Sequence, residues 1–361
     1  MRVAYVHDWL VTYRGGEKVL EALMELYPDA PVYTLFYDKE KMPKSLQKRR
    51  IIYPKWLQPL KKFRKQLLPI LPMIVESFPL EDYDLVISSS SCVAKGVMVG
   101  PNTKHISYIH SPMRYVWDQR GHYIHQKGRL LRPIIHVLST LLRMWDVGSA
   151  ARIDRMIANS HFIASRIRRY YDKEASVIHP PIEIASKEGV YEKKGYFLAA
   201  GAFVPYKGFD LAIKACEKEG KRLIIAGSGE DEARLRQLAG PNTSFIISPD
   251  DELFSRLLHE ADALLFPGVE DFGMIAIEAM ACGTPVIALQ GGGALDFIVP
   301  YETGVFFKDK TVTSLGEAIK SFESGSYDQG RLKDFAKGFS KDVFQDQFKK
   351  QLKDLLKGTS K

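Results

Sequence analysis

The chain has 361 residues, of which 45% are hydrophobic and 26% charged, and its formal net charge is +8. At roughly 150 residues per domain, this length predicts about two domains of an ordinary globular protein. No apolar run reaches the roughly 18 residues of a membrane-spanning helix, and the opening MRVAYVHDWL is too short and polar for a secretory signal. The three cysteines are far apart, which excludes a metal or redox motif and predicts reduced thiols in the cytoplasm.

A basic stretch without any acid lies between Lys41 and Val75. It holds ten Lys or Arg residues and mixes them with Trp56, Phe63 and several leucines. A solvated basic surface has this composition, and so has a segment that binds an anionic membrane through cations and apolar anchors. We expect the membrane, with peripheral attachment at the inner face of the cytoplasmic membrane. Nucleic acid is not expected, because no nucleic-acid motif accompanies the charge.

Short apolar segments alternate with segments of helical spacing along the first half of the chain. Strands are predicted at RVAYVHDW, DLVISSS, HISYIH and RMIANS, and helices at GGEKVLEALMELYP and HFIASRIRRYY. Continuous apolar strands that alternate with helices are typical of parallel sheets covered on both faces.

The alternation starts again after residue 180. Strands are predicted at YFLAAG, RLIIAG, SFIIS and ALLFPG, and helices at FDLAIKACEKE, DEARLRQLA, DELFSRLLHEA and GMIAIEAMACG. Residues 178–195 hold two prolines and then a charged run, which is typical of a linker. We therefore predict an α/β protein with two Rossmann-like doubly wound domains, residues 1–182 and 183–340, that face each other across a ligand-binding cleft.

The stretch FPGVEDFGMIAIEAMACGTPVIA, residues 266–288, places Glu270 before a glycine and Glu278 eight positions later. It predicts a strand, a turn and a helix that starts near Gly273, where unpaired N–H groups suit a phosphate. Glu270 would project from the turn, and Glu278 would accept hydrogen bonds from a vicinal diol such as a ribose. A capping acid followed by a solvated helix glutamate would give the same pattern.

Several other predicted strands are followed by glycines or by a single polar residue. Gly15 and Gly16 allow close approach to an anion or simply make a tight turn, and they lack the G-x-G-x-x-G spacing. Lys207 can neutralise negative charge that develops in a transition state. His110 lies at the carboxyl end of a strand, where parallel sheets bind ligands, although a lone histidine is more often structural.

The segment 267–288 resembles the donor-sugar motif of the family 4 retaining glycosyltransferases. That motif has two glutamates with seven residues between them, followed by Ala-Met-Ala and Gly-Thr-Pro-Val. The segments HDWLVTYRGGEKVL, YIHSPMRYVWDQ, ANSHFIASRIRRYY, VIHPPIE and FLAAGAFVPYKGFDLAIKA are similar, in the same order, to parts of bacterial O-antigen and polysaccharide mannosyltransferases of this family. The resemblance implies GT-B architecture, with a final helix in residues 341–361 that packs back on the first domain.

The resemblance also implies transfer of a hexose from a nucleotide sugar, most simply mannose from GDP-mannose, to a lipid-linked or polysaccharide acceptor. His110, Lys207 and Glu270 would be catalytic. The donor-binding residues would be Gly15, Gly16, Gly201, Lys207, Gly227, Phe272, Gly273, Met274, Ile275 and Glu278. His7, Asp8, Arg114, Tyr115 and Trp117 would lie on the acceptor side, with core packing as the alternative for the aromatic residues.

Neither a metal ion nor a cofactor is expected, because Lys207 and the helix N–H groups can take the role of a metal ion. The Asp82-x-Asp84 pattern binds metal in another class of glycosyltransferases, and we do not expect it to do so here. Ala202 stands where the family often has an arginine. A UDP- or dTDP-sugar donor, a nucleotide-sugar epimerase and a non-catalytic nucleotide-sugar-binding protein remain as alternatives.

Overall fold

The computed structural model describes residues 1–118, 132–183, 191–322 and 324–357 of the chain. These residues form two compact units, one of Met1–Pro180 with Phe344–Lys361, and one of Pro181–Val343. The chain passes from the first unit to the second within the predicted linker, whose residues 184–190 lie outside the described part.

The first unit is built on a seven-stranded sheet in which every pair of neighbours is parallel. The strands are β1 Val3–His7, β2 Val32–Thr34, β3 Ile51–Ile52, β4 Leu85–Ser90, β5 Lys104–Ile109, β6 Arg155–Ala158 and β7 Ser176–Val177. Their order is β3-β2-β1-β4-β5-β6-β7, so the winding direction reverses between β1 and β4. Open parallel sheets bind ligands at such a switch point, outside the carboxyl ends of the strands.

Helices cover both faces of this sheet. They are α1 Gly15–Met24, α2 Lys44–Gln47, α3 Leu71–Glu76, α4 Arg132–Ala150 and α5 His161–Tyr171, with 3-10 turns at Lys39–Lys41, Lys55–Phe63 and Ala94–Gly96. Because side chains alternate along a strand, β1 contributes to two cores: Tyr5 packs with Leu20 on one face, and Ala4 and Val6 pack with Val86 on the other.

The second unit contains a six-stranded parallel sheet. Its strands are β8 Phe197–Ala202, β9 Leu223–Ser228, β10 Thr243–Ile247, β11 Ala263–Phe266, β12 Val286–Leu289 and β13 Gly304–Phe307. The order β10-β9-β8-β11-β12-β13 places the switch point between β8 and β11. The helices are α6 Phe209–Lys218, α7 Glu232–Leu238, α8 Asp251–Glu260, α9 Met274–Ala281, α10 Val312–Ser321 and α11 Gln329–Lys337, with 3-10 turns at Pro205–Lys207, Gly292–Asp296 and Ser324–Ser326.

The last helix, α12 Lys341–Lys357, packs on the first unit. Phe344, Phe348, Leu352 and Leu355 recur at helical spacing and are buried in the same core as Tyr5. The predicted fold class is confirmed: two doubly wound parallel sheets, with a C-terminal helix that returns to the first domain. Within the described residues, no helix has the length and apolar character needed to cross a bilayer.

Candidate active site

Lys207 and Glu270 form an ion pair at the switch point of the second sheet. Lys207 ends the 3-10 turn after β8, and Glu270 lies in the loop after β11. Lys207 Nζ is 2.8 Å from Glu270 Oε1, and the two side chains are only 12% and 18% exposed. Partial burial limits screening by water and strengthens the attraction between the charges. The structure thus brings together two residues that were predicted separately from two motifs.

Two glycines lie at the ends of the strands next to this pair. Gly201 has φ +127°, and a Cβ there would lie 2.8 Å from Lys207 Nζ. Gly227 has φ +143°, and its Cβ would lie 1.9 Å from the Gly201 carbonyl oxygen. The positive φ of both residues, together with the backbone collision at Gly227, requires glycine at the ends of β8 and β9. Their predicted role in donor binding stays a prediction.

The helix α9 begins where the sequence predicted, directly after Gly273. Gly273 has φ +103°, and a Cβ there would lie 2.4 Å from the Phe266 ring, so only glycine fits this position. Glu270 precedes the helix, and Glu278 lies within it as a half-buried residue. The positive end of the helix therefore lies between the two glutamates in sequence.

The residues next to Gly273 differ in what they offer a ligand. The Phe272 side chain is buried, with its ring centroid 5.5 Å from that of Phe297. Only its backbone is therefore suited to ligand contact. Met274 and Ile275 are half-buried in the first turn of α9.

The glycine-rich loop after β12 supports the backbone of Glu270. The Gly293 N–H donates to the Glu270 carbonyl oxygen at 2.9 Å. Gly292 has φ +63°, and a Cβ there would lie 2.5 Å from the same oxygen. This loop therefore fixes the position of Glu270.

His7 and His110 meet at the switch point of the first sheet, with Ser89 between them. Ser89 Oγ is 3.1 Å from His7 Nδ1 and 2.8 Å from His110 Nε2. His7 lies opposite Ser89 in the pairing of β1 with β4, so both side chains leave the sheet on the same face. Burial, reinforced by the nearby His7, lowers the pKa of His110 to about 3, so its imidazole is neutral at physiological pH.

The loop glycines lie beside these histidines. A Cβ at Gly16 would lie 3.8 Å from His110 Nε2 and 3.8 Å from His7 Cε1. Gly15 is the first residue of α1, as the sequence predicted for the helix. Glycine at position 16 therefore leaves room next to both imidazole rings.

Asp8 anchors a loop in this structure. Its carboxylate oxygens accept hydrogen bonds from the backbone N–H groups of residues 91–94 at 2.6–2.9 Å, and from the Ser91 hydroxyl at 3.0 Å. This set of bonds holds the turn after β4 against the end of β1. Contact of Asp8 with an acceptor stays a prediction.

The segment after His110 is tied to the rest of the first unit. The Trp117 indole N–H donates to Asp146 Oδ2 at 2.8 Å, and its ring stacks on Tyr170 at 4.4 Å. Arg114 Nε donates to Ser111 Oγ at 3.3 Å, and Tyr115 packs against the core. Core packing thus accounts for the two aromatic residues, and an acceptor-side role for this segment stays a prediction.

The aspartates of the Asp-x-Asp pattern lie at the start of β4. Asp84 Oδ2 accepts a hydrogen bond from the Arg2 N–H at 2.6 Å and lies 3.9 Å from the terminal ammonium of Met1. Asp82 is exposed. Asp84 therefore fixes the start of β1, at the opposite end of the strand from His7.

Two domain families match the chain. Residues 14–186 match Glycosyltransferase Family 4, and residues 182–339 match Glycosyl transferases group 1. Together the matches run through both units.

Curated relatives share shorter segments with this chain. An alpha-1,3/1,6-mannosyltransferase of Kluyveromyces lactis is 24% identical over 285 residues, 63% of this chain and 54% of that protein. A GDP-mannose-dependent monoacylated alpha-(1-6)-phosphatidylinositol monomannoside mannosyltransferase of Corynebacterium glutamicum is 34% identical over 132 residues, 32% of this chain and 34% of that protein. The chain spans about a quarter to just over a half of the length of the curated relatives it matches.

Solved structures resemble the chain over nearly its whole length. Sucrose-phosphate synthase from Thermosynechococcus elongatus has a TM-score of 0.75 at 18% identity and covers 99% of this chain and 100% of its own. Anabaena HepE in complex with UDP-glucose has a TM-score of 0.69 at 17% identity, with 98% and 100% covered. The fold is therefore that of the two-domain, GT-B glycosyltransferases. The two matched families, both of glycosyltransferases, follow each other in order along the chain.

Proposed function

We propose that this chain is a retaining, metal-independent glycosyltransferase that moves mannose from GDP-mannose to a lipid-linked or polysaccharide acceptor. The observation that carries the proposal is the Lys207–Glu270 pair, 2.8 Å apart at the switch point of the second sheet and just before α9. A cation, a hydrogen-bond acceptor and a helix start are the groups that a sugar diphosphate needs.

Each group has a distinct task in this proposal. Lys207 and the first turn of α9 stabilise the charge on the departing diphosphate. Glu270 orients the sugar through its hydroxyls, His110 contacts the same sugar, and Glu278 binds the ribose. The acceptor oxygen attacks the anomeric carbon on the face that the diphosphate leaves, and the leaving phosphate takes the acceptor proton. No side chain is assigned as a covalent nucleophile.

Mannose and GDP are proposed because two relatives are mannosyltransferases, one of them GDP-mannose-dependent. The structural relative bound to UDP-glucose keeps a UDP-sugar as the alternative donor. A panel of GDP-, UDP- and dTDP-sugars, scored by thermal stabilisation and by acceptor-dependent nucleotide release, separates these donors. An altered nucleotide sugar without release would indicate an epimerase, and tight binding without turnover would indicate a non-catalytic protein. Chelator-resistant turnover is expected, and loss of activity in EDTA would contradict metal independence.

The two glutamates give the sharpest test of the site. Glu270→Ala should lower kcat by roughly a hundredfold, because a preorganised group at the reacting sugar is lost. Glu278→Ala should raise the Kd for the nucleotide at least about tenfold with a smaller effect on kcat. Glu302→Ala, an exposed glutamate of the same unit, is the matched control. Wild-type kinetics in both site variants would refute the assignment.

We also propose that the first unit attaches to an anionic membrane at the cytoplasmic face. Within the acid-free stretch 41–75, Trp56, Phe63 and Met73 are 65%, 55% and 66% exposed. Exposed apolar side chains among cations fit the interface of an anionic bilayer, where each nearby cation contributes about 1 kcal/mol.

Helix α4 extends this apolar surface. Ile134, Val137, Leu141 and Met144 are exposed and recur every three or four residues, so they share one face. The next residue, Trp145, donates its indole N–H to Glu76 at the end of α3, which ties α4 to the basic stretch.

Liposome sedimentation at low salt tests the attachment. Anionic vesicles should recruit the wild type, neutral vesicles should not, and high salt should release it. The double variant Trp56→Ala/Phe63→Ala should bind at least about tenfold more weakly, because two interfacial anchors are lost. Tyr301→Ala, which removes an exposed aromatic residue of the second unit, should bind as the wild type does. Failure of anionic vesicles to recruit the wild type would refute attachment.

A further inference from the structure

Ser89 joins two histidines through one hydroxyl group. Its Oγ is within hydrogen-bond distance of both His7 Nδ1, at 3.1 Å, and His110 Nε2, at 2.8 Å. A hydroxyl has one hydrogen and two lone pairs. Among the residues that the structure describes, Ser89 Oγ has no third partner for its hydrogen, so it donates to one ring and accepts from the other. When both imidazoles are neutral, one of these two facing nitrogens therefore carries a hydrogen and the other does not.

Glu17 determines which of these two nitrogens carries the hydrogen. Its Oε1 lies 4.0 Å from His7 Nε2, on the side of the ring away from Ser89, and both side chains are buried. Its Oε2 accepts the Arg14 N–H at 2.9 Å, which fixes the carboxylate at the start of α1. A buried carboxylate only accepts hydrogen bonds, so it favours a hydrogen on the nitrogen that faces it. Neutral His7 then carries its hydrogen on Nε2, and its Nδ1 is an acceptor.

The remaining bonds follow in order along the chain of side chains. Ser89 donates to His7 Nδ1 and accepts from His110 Nε2–H. His110, neutral, then has a lone pair on Nδ1, and within the described ranges that nitrogen makes no hydrogen bond. We propose that Glu17, His7 and Ser89 are positioning residues that hold His110 in its Nε2–H tautomer, with Nδ1 as a hydrogen-bond acceptor.

The tautomer determines whether His110 Nδ1 accepts or donates a hydrogen bond to the substrate, and this step rests on the proposed function. An imidazole Nδ1 with a free lone pair accepts a hydrogen bond from a donor-sugar hydroxyl, whereas the opposite tautomer would donate one. The three residues thus select for a hydroxyl hydrogen at this point of the sugar without touching it themselves.

Nitrogen-15 NMR of histidine-labelled protein reads the tautomer directly and needs no turnover. The spectrum is recorded well above the ordinary imidazole pKa of about 6.5, and the His110 signals are assigned by their loss in His110→Gln. We expect an unprotonated Nδ1 and a protonated Nε2 in the wild type. Glu17→Gln, which keeps the size of the side chain and the bond from the Arg14 N–H, should shift both signals towards the opposite tautomer.

Ser90 supplies the matched control for Ser89. Its hydroxyl is buried in the same strand and has no hydrogen-bond partner in the described part of the chain. Ser90→Ala should leave the His110 signals unchanged, while Ser89→Ala should give a mixture of tautomers. A protonated Nδ1 in the wild type, or wild-type signals in both Ser89→Ala and Glu17→Gln, would overturn the inference.

Turnover separates this inference from the proposed function. With an accepted donor, Ser89→Ala and Glu17→Gln should each lower kcat/KM by roughly five- to tenfold, which corresponds to one hydrogen bond made with the wrong polarity. Ser90→Ala should retain wild-type kcat/KM. If no nucleotide sugar is turned over, the proposed function fails while the tautomer measurement still stands. If the tautomer is reversed in an active enzyme, only this inference fails.

Discussion

Replacing Asp146 by asparagine should lower the free energy of unfolding of the first unit by about 3–5 kcal/mol. Asp146 Oδ1 lies 2.7 Å from Lys95 Nζ, and the two side chains are 0% and 1% exposed. Lys95 also donates to the Ser149 hydroxyl at 2.8 Å and to the Asp146 carbonyl oxygen at 3.1 Å. The substitution keeps the shape of the side chain, removes its charge and replaces one acceptor oxygen by an N–H donor, so an ammonium group remains buried without a counter-ion.

The magnitude follows from the geometry. Two unit charges 2.7 Å apart attract by about 6 kcal/mol at an effective dielectric constant of about 20. The asparagine oxygen and the two remaining acceptors of Lys95 offset part of the loss, which gives the expected range. Lys95→Met relieves the stranded cation, so the double variant Lys95→Met/Asp146→Asn should be more stable than the sum of the single changes predicts by at least about 2 kcal/mol.

Urea denaturation of the full chain, followed by tryptophan fluorescence, measures these differences. Asp146 Oδ2 also accepts hydrogen bonds from the Trp117 indole and the Tyr171 hydroxyl, each at 2.8 Å, so the signal reports on the region of the substitution. A change below about 1 kcal/mol for Asp146→Asn, or additive effects in the double variant, would refute the reasoning, because either result means that the buried charges do not depend on each other.

Three further substitutions have definite expectations. Gly273→Ala should lower the free energy of unfolding by about 1–3 kcal/mol and weaken nucleotide-sugar binding, because the new Cβ would lie 2.4 Å from a ring carbon of Phe266. Thermal-shift and binding assays measure both effects. Gly195→Ala, which is also at positive φ but in open space, is the control for backbone strain. Phe348→Ala should lower the free energy of unfolding, measured by urea titration, by about 3–5 kcal/mol, because this fully buried ring holds α12 on the first unit. Burial lowers the pKa of His105 to about 3. Below about pH 6.5 the unfolded chain therefore takes up a proton that the folded chain does not. As the pH falls, the free energy of unfolding should decrease by up to about 1.4 kcal/mol per pH unit. His105→Gln should flatten that slope, and a slope equal to that of a control at the exposed His136 would contradict the assignment.

The pattern of the sequence predicted most of the elements that are long and have one clear period, but it made no prediction for β13, α10 and α11. It missed β2, β3 and β7, which have only two or three residues each, because an alternation cannot be recognised over so short a run. It also missed α4, where exposed Leu141 and buried Leu142 follow each other and blur the boundary between the faces. Local patterns identify an element when one face is polar, and α4 has apolar residues on both.

The sequence identified site residues whose type is unusual at their position. It did not identify a site residue that has residues of the same type next to it in the sequence. Lys207 and Glu270 stand out because each is a charged residue at the end of an apolar strand. Ser89 does not, since it is one of several consecutive serines in β4, and its role depends on the pairing of His7 opposite it. Register between strands is a long-range property, and no local pattern in the sequence reveals it.

The contact between Lys207 and Glu270 constrains the way in which a donor can bind. A cation and an anion 2.8 Å apart largely neutralise each other, so the pair presents little net charge to an approaching ligand. A diphosphate oxygen that binds Lys207 therefore competes with Glu270, and the carboxylate needs new hydrogen-bond donors in return. Sugar hydroxyls next to the diphosphate supply those donors. A nucleotide diphosphate without its sugar offers the anion alone, and nothing in it stabilises the displaced carboxylate.

Glu270→Gln, which removes the competing charge, should therefore tighten binding of GDP while it lowers kcat with GDP-mannose. Calorimetric titration of both ligands checks this, and weaker GDP binding in the variant would show that the two residues bind the donor independently.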